Sequence, residues 1–327
     1  MARTVEFEQP RARGLGVIRE LFRAMRPKDW IKNVFVFAAI AFSEQKLWLN
    51  FPSSVAIVAM AFVLFCMVAG SIYLINDLVD IEKDRAHPKK RNRPLASGRL
   101  SPLVAKVAAV VFLGTAIPAA FALDAISVPW TVEQVPWQQV DFGLALVSYV
   151  LIQGIFYSYY LKHVVLLDVF TIAAGFVLRA VAGAMVLDIH ITEWLLICMG
   201  LLSLFLGFAK RRAELVLLEG GAGEHRRILQ EYSLPMLDQM LSIITGAIII
   251  AYTFFTTNDN LPETESDFPL MLATAPIVTY ALFRYLYLIY QKDGGGNPAE
   301  IVLGDRPFTI SLLLWGLISL ALLTFGS

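Results

Sequence analysis

Apolar residues fall along this chain in long blocks with few or no charges, not in the alternation of a half-buried strand. Val55–Ile75, Val104–Leu123, Phe170–Leu187, Leu195–Phe208 and Ile310–Phe325 are the clearest. Blocks of about 20 such residues match the length of helix that crosses the hydrocarbon layer of a bilayer. Read that way, the sequence predicts nine helices, near 33–50, 53–76, 103–123, 141–159, 164–187, 193–209, 236–256, 268–290 and 308–326. The fold class is therefore all-α, a polytopic membrane protein with nine transmembrane helices in a single integral-membrane domain over 1–327. The first helix is interrupted by Ser43-Glu44-Gln45-Lys46, and a re-entrant segment is the alternative there. Ahead of it, residues 1–32 form a cytoplasmic segment that is amphipathic in part, with Val17, Ile18, Leu21 and Phe22 set against Arg19 and Arg23, as in a helix lying on the inner leaflet.

Composition sharpens this reading. The chain is 57% hydrophobic and only 17% charged, which nearly excludes an ordinary soluble domain. Its 27 basic and 27 acidic residues cancel, and no excess of positive charge points to nucleic acid. The cancellation hides a segregation. All the Lys and Arg except Lys46, Arg179 and Arg284 fall in alternate connections beginning with the N-terminus, whereas the other connections carry acids such as Asp124, Glu133, Asp188, Glu193, Asp259, Glu263, Glu265 and Asp267. By the positive-inside rule the N-terminus and the basic loops are cytoplasmic and the C-terminus is outside, in a multi-pass protein of the inner (plasma) membrane. Cys66 and Cys198 each lie in an apolar run and offer neither a disulfide framework nor metal-ligand spacing. No removable signal peptide is recognisable at the arginine-rich N-terminus.

The most informative stretch is the inner end of the second helix, Asn76-Asp77-Leu78-Val79-Asp80-Ile81-Glu82-Lys83-Asp84-Arg85. On a continuous helix Asn76, Asp77, Asp80 and Asp84 share one face, and three carboxylates fall within about 10 Å. Oxygen ligands without His or Cys favour Mg²⁺ completed by substrate phosphates, so Asp77, Asp80 and Asp84 are the candidate metal-binding and catalytic residues. The competing reading is a solvated acidic helix end neutralised by Lys83 and Arg85. The next residues, through Lys89, Lys90, Arg91, Arg93 and Pro94 to Gly98, form a basic loop suited to clamping a pyrophosphate. Basic residues beside a membrane helix also follow from topology alone.

The pattern Asn76-Asp77-x-x-Asp80-x-x-x-Asp84-Arg85 followed by Lys90-Arg91-x-Arg93-Pro94 resembles the first aspartate-rich motif of the UbiA-type prenyltransferase superfamily. That resemblance implies a cytoplasm-facing cavity within nine helices, Mg²⁺-assisted departure of pyrophosphate, and a lipid tail lying between helices. Prenyltransferases of this kind carry a second aspartate-rich motif after the sixth helix. Here that stretch reads Lys210-Arg211-Arg212-Ala213-Glu214-Leu215. With Arg26-Pro27-x-x-Trp30-Ile31-Lys32-Asn33, Tyr157-x-x-x-x-Lys162, Arg179-x-x-x-Gly183 and Asp305-Arg306-Pro307, the chain is similar to the decaprenyl-phosphate phosphoribosyltransferase branch. The resemblance implies phosphoribosyl pyrophosphate as donor and a polyprenyl phosphate as acceptor. It implies substrate binding by Lys32, Asn33, Asn76, Arg85, Lys90, Arg91, Arg93, Tyr157, Lys162, Arg179, Lys210, Arg211, Glu214, Asp305 and Arg306. Lys210 and Arg211 are expected to supply the additional anion site that the donor's separate 5-phosphate needs.

Arg179 lies inside a predicted helix, where a cation is costly and faces a cavity or a partner. Arg284 lies nearer its helix end and can snorkel or pair structurally. The four histidines show no nucleophile-base pairing, and the glycines at 220–223 and 294–296 lack the context of a phosphate loop. A prenyl-diphosphate transferase acting on a small or aromatic acceptor is the second reading, and it requires a second acid cluster that the sequence lacks. A transporter is the third, against which stand the missing inverted repeats and paired broken helices. Oligomeric state stays open, a homo-oligomer being compatible with everything above.

Overall fold

The computed structural model describes residues 12, 14–43, 45–87, 90–126, 128–130, 141–219, 227–257, 269–292, 296 and 298–325. Pro88, Lys89, His225, the glycines at 220–223 and 294–295, and the acids Glu133, Asp259, Glu263, Glu265 and Asp267 lie outside the described residues. The elements are α1 (Leu15–Ala24), a 3₁₀ helix (Pro27–Phe37), α2 (Ala38–Ala41), α3 (Leu47–Asn50), α4 (Pro52–Val79) and α5 (Ile81–Ala86). They continue as α6 (Pro102–Asp124), α7 (Asp141–Tyr149), α8 (Tyr157–Tyr159), α9 (Leu167–Met185) and α10 (Glu193–Glu219). The last are α11 (Leu234–Thr256), α12 (Ala275–Gln291), α13 (Pro298–Gly304) and α14 (Arg306–Phe325). Among the described residues there is no β-strand, and eight helical segments are long and apolar enough to cross a membrane.

The first predicted crossing, 33–50, is not one α-helix. It is the end of the 3₁₀ helix, then α2, a turn through Lys46 at φ 46°, and α3. The 3₁₀ helix and α2 run on without a break, a rod of about 28 Å. Its close approach to α9 has a specific cause. Gly183 has no side chain, and a Cβ there would run into the Val36 backbone carbonyl. Gly175, two turns earlier on α9, leaves room in the same way for Gln153. The two glycines flanking Arg179 therefore serve packing.

Two further elements differ from the sequence expectation. The acidic helix does not run straight through 77–84: α4 ends at Asp80, whose φ of −98° and ψ of 11° leave the helical region, and α5 begins at Ile81. The helix before 210 does not stop there either. Lys, Arg, Ala, Glu and Leu are strong helix formers, and the Arg211–Glu214 pair at i, i+3 supports the extra turns, so α10 continues to Glu219. A seven-residue π-helix, Val150–Phe156, widens the helix between α7 and α8. Gln153 uses it to donate from Nε2 to the Thr171 carbonyl on α9.

Two apolar cores hold the bundle. One joins the 3₁₀ helix, α4, α6, α7 and α9 around Phe65, Phe142 and Leu146; the other joins α9 to α14 around Phe205, Leu241 and Ile289. Ion pairs clamp one end of the second half. Arg211 Nε donates to Asp168 Oδ2 (2.8 Å), and the Tyr232 hydroxyl donates to Asp168 Oδ1 (2.7 Å) while accepting from the Leu166 amide (2.8 Å). Burial first, and the Asp168 bond second, push the Tyr232 phenol up, so it stays a neutral donor. Arg212 donates to Asp238 (2.6 Å), and Arg284 grips Asp305 with two bonds of 3.0 and 2.7 Å. Asp305 also accepts from the Phe308 amide at the start of α14. The Arg284 hydrogen bonds hold its carboxyl below the usual carboxylate range.

Three stability outcomes follow from this packing. Gly183→Ala meets backbone, which cannot swing aside, so it should cost about 1–3 kcal/mol and lower the melting temperature in detergent. Gly114→Ala on α6, with nothing within 4 Å of the added carbon, should leave that temperature unchanged or raise it. Arg211→Ala strands the buried Asp168 carboxylate and should destabilise by about 3–5 kcal/mol. If the Arg211→Ala protein melts with the unaltered protein, the clamp is not holding α9 to α10.

Candidate active site

Asp77, on the last turn of α4, and Asp84, on α5, are only 2% and 3% exposed. Buried carboxylates need compensation, and one nitrogen serves both: Arg93 Nη1 lies 3.1 Å from Asp77 Oδ1 and 2.7 Å from Asp84 Oδ2. Arg26 Nη2 also meets Asp77 Oδ1, with its guanidinium over the Tyr73 ring at 4.6 Å. Arg93 is placed by a compact turn. The Ser97 amide and hydroxyl both donate to the Arg93 carbonyl (2.9 and 2.8 Å), and Arg85 Nε reaches the Ala96 carbonyl. Leu95 and Leu100 are buried against Ala24, Met25 and Leu74, which docks this turn and α1 on the same end of α4.

Asp80 does not join that pair. The helix break at Asp80 sends its carboxylate toward Lys83 (3.8 Å) and Lys162 (4.0 Å). Among the described residues no three Asp, Glu, His or Cys side chains come together: Asp77 and Asp84 converge, and Asp80 points aside. Two oxygens converging on one point of positive charge are a donor set that Mg²⁺ accepts when waters and phosphate oxygens complete its shell. Asp77 and Asp84 fit that requirement, with the Arg93 nitrogen standing where a cation belongs.

Deeper in the bundle, Arg179 is 7% exposed and held entirely by neutral groups. Its Nε donates to Asn33 Oδ1 (2.8 Å), Nη1 to the Gly175 carbonyl (2.7 Å) and Nη2 to the Tyr149 hydroxyl (2.5 Å). Asn33 in turn donates to Cys66 Sγ at 3.2 Å. Cys66 and Asp77 lie about 16 Å apart along α4, with Tyr73 on the same stripe between them. Arg179 also lies over the Phe176 ring, which meets Phe35 edge-on. Phe35 lines an apolar cavity of about 400 Å³ whose walls include Phe42, Met199, Leu282 and Trp315. On that wall Trp315 Nε1 donates to the Tyr252 hydroxyl, which shares a 2.6 Å bond with Thr274, whereas the buried Tyr285 hydroxyl has no hydrogen-bond partner.

The other expected substrate residues divide. Lys162 joins the acidic cluster, and Tyr157 lies one turn from it in sequence; Asn33 joins Arg179. Arg85 pairs with Glu82 (3.0 Å), Lys32 with Asp29 (2.8 Å), and Arg91 is exposed. Asn76 and Lys90 are half-buried beside the cluster. Arg211 and Glu214 are joined to each other, and with Asp168 they enclose the guanidinium, which is 4% exposed. Arg211 is thus closed in by carboxylates, and Lys210, the residue before it, is exposed. Asp305 is bound to Arg284, while Arg306 is exposed at the start of α14. Sequence reasoning gave no site role to Tyr149, Tyr73 or Arg26. A tyrosine in an apolar span needs a partner for its hydroxyl, which was the available signal for Tyr149. Arg26 stood only as the first residue of the motif Arg26-Pro27-x-x-Trp30-Ile31-Lys32-Asn33, with no contact assigned to it.

Comparison with known proteins identifies the family. Residues 33–214 match the UbiA prenyltransferase family. Decaprenyl-phosphate phosphoribosyltransferase of Mycolicibacterium smegmatis is 33% identical over 307 residues, covering 91% of each chain. Its counterpart in Corynebacterium glutamicum is 31% identical, covering 90% of this chain and 84% of that one. A UbiA homolog from Archaeoglobus fulgidus, solved bound to GPP and Mg²⁺, superposes with a TM-score of 0.63 over 93% of this chain and 99% of that one, at 16% identity. An all-helical membrane bundle, a buried carboxylate pair ringed by guanidinium groups, and relatives of this identity together establish that the chain is an integral-membrane enzyme belonging to the UbiA prenyltransferase family.

Proposed function

We propose that this enzyme transfers the 5-phosphoribosyl group of phosphoribosyl pyrophosphate to a polyprenyl phosphate and releases pyrophosphate. The observation that carries this reading is the basic stretch that stands in place of a second aspartate-rich motif. Asp77 and Asp84 converge on one cation, while the stretch where a second acidic motif would stand is Lys210-Arg211-Arg212, with Arg211 locked to Asp168. A prenyl-diphosphate donor would call for the second acid cluster. The curated relatives named above carry the phosphoribosyltransferase name.

In this reading the bond between ribose C1 and the pyrophosphate oxygen breaks, the pyrophosphate leaving with the electron pair, and an acceptor phosphate oxygen forms the new bond to C1. That oxygen is already anionic, so no general base is needed. Asp77 and Asp84 would hold Mg²⁺, which supplies charge neutralisation to the leaving pyrophosphate. Arg93 and Arg26 exchange a carboxylate for pyrophosphate oxygens, and Lys162 adds charge from the Asp80 side. The acceptor tail takes the apolar cavity beside Phe35, and Arg179 meets the acceptor's anionic head between that cavity and the aspartates. The active-site end faces the cytoplasm of the cell, with the protein in the inner membrane and its C-terminus outside.

The test is incubation of the purified protein with phosphoribosyl pyrophosphate, decaprenyl phosphate and Mg²⁺, with mass analysis of the lipid and assay of pyrophosphate. Product should form and should vanish with EDTA. Turnover of a prenyl diphosphate with an aromatic acid, and none of phosphoribosyl pyrophosphate, would restore the prenyltransferase alternative. Asp77→Asn and Asp84→Asn should each lower kcat on the order of 10²-fold or more. Asp80→Asn should fall less far, because its carboxylate stands outside the convergent pair. Equal losses at all three positions would show that Asp80 swings into the metal shell during turnover.

A further inference from the structure

A polar cleft of about 230 Å³ opens beside the carboxylate pair, lined by Arg23, Arg26, Asn92, Arg93 and Asp77. Three guanidinium groups share it with one carboxylate, which Arg26 and Arg93 already contact. Among the described residues Arg23 has no acidic partner. It lies about one turn before Arg26, exposed on the last turn of α1. The cleft is a built feature. Arg26 holds φ 54°, a left-handed conformation that disfavours any residue with a side chain. Its neighbour Met25 packs on Gly70 of α4, the close approach that anchors this turn. Across the cleft, Arg99 ties α1 to the facing turn, reaching Glu20 (3.0 Å) and the Asn92 carbonyl (2.6 Å).

Resting on the phosphoribosyl reading above, we infer that this cleft binds the phosphate monoester of the donor, its 5-phosphate, with Arg23 as the residue that selects for it. The donor has two anionic ends separated by a ribose. The cleft has two ends to match: Arg93 and Asp77, where pyrophosphate and metal meet, and Arg23, which touches no carboxylate. Arg211, expected in this role, is enclosed by Asp168 and Glu214 and cannot supply it. A polyprenyl phosphate offers the same phosphate chemistry, but its head must sit at the end of an apolar groove. The apolar cavity adjoins Phe35, whereas the apolar lining of this cleft is only Ala24 and Pro94.

Ribose 5-phosphate, which carries this group without the pyrophosphate, is the probe for the full-length protein in detergent. It should compete with phosphoribosyl pyrophosphate. Arg23→Ala should weaken that competition and raise the donor KM, each about 10-fold. The KM for decaprenyl phosphate and the inhibition by Mg²⁺ with pyrophosphate should stay within about twofold. Arg23→Lys should recover part of the effect, since it restores charge without the forked donors. Arg19→Ala, on the same exposed helix but away from the cleft, is the control and should change neither constant. Four results overturn the assignment while leaving the phosphoribosyl reading intact: undiminished competition by ribose 5-phosphate in Arg23→Ala, an equal loss of pyrophosphate inhibition, a shift in the acceptor KM instead, or the same losses in Arg19→Ala. Failure of the unaltered protein to turn over phosphoribosyl pyrophosphate overturns both.

Discussion

The guanidinium of Arg93, held between two carboxylates that are almost wholly out of water, is the interaction on which the rest of the site depends. Removing one partner of such a buried group leaves an uncompensated charge and costs several kcal/mol. The structure around Arg93 is organised to keep it there. Its carbonyl is fixed by Ser97, its turn is buried by Leu95 and Leu100, and that apolar patch in turn seats α1, which brings Arg26 to the same carboxylate. One electrostatic requirement at the end of α4 thereby draws together three separate stretches of chain. The same convergence is what a divalent ion bound through two carboxylates and phosphate oxygens demands.

The buried arginines in the membrane-spanning segments divide into two kinds by their partners. Arg211 sits on Asp168 and Glu214, forming a closed unit in which two carboxylates more than balance its charge, and its effect is to lock α9 to α10. Arg179 is held by Asn33, Tyr149 and a carbonyl, which satisfy its donors without cancelling its charge. A positive charge in a low-dielectric interior acts over a longer range than one at a wet surface. Small residues make the arrangement feasible: Gly175 and Gly183 let Gln153 and the Val36 carbonyl close in on α9, fixing the floor on which Arg179 stands.

Much of this protein is set by its sequence alone. Helices that must satisfy their own backbone groups in lipid need about 20 apolar residues each, so the span boundaries over 52–79, 102–124, 141–159, 234–256 and 306–325 could be read within a few residues, and so could the amphipathic α1. Asp77 and Asp84 were legible as a pair because seven residues are two helical turns, a spacing that survives the break at Asp80. Pairing choices were not legible. Asp80, Arg211, Asp305 and Arg179 have sequence contexts equally suited to substrate and to a structural partner. Only the folded chain shows Asp80 turned toward Lys162, Arg211 closed on Asp168, Asp305 on Arg284, and Arg179 among neutral donors and acceptors. The physical reason is the range of the forces. Hydrophobic span length and helical register are local properties of consecutive residues, whereas the partner of a buried charge is decided by which helices pack together, through contacts more than 40 positions apart between Arg211 and Asp168 and more than 140 between Arg179 and Asn33.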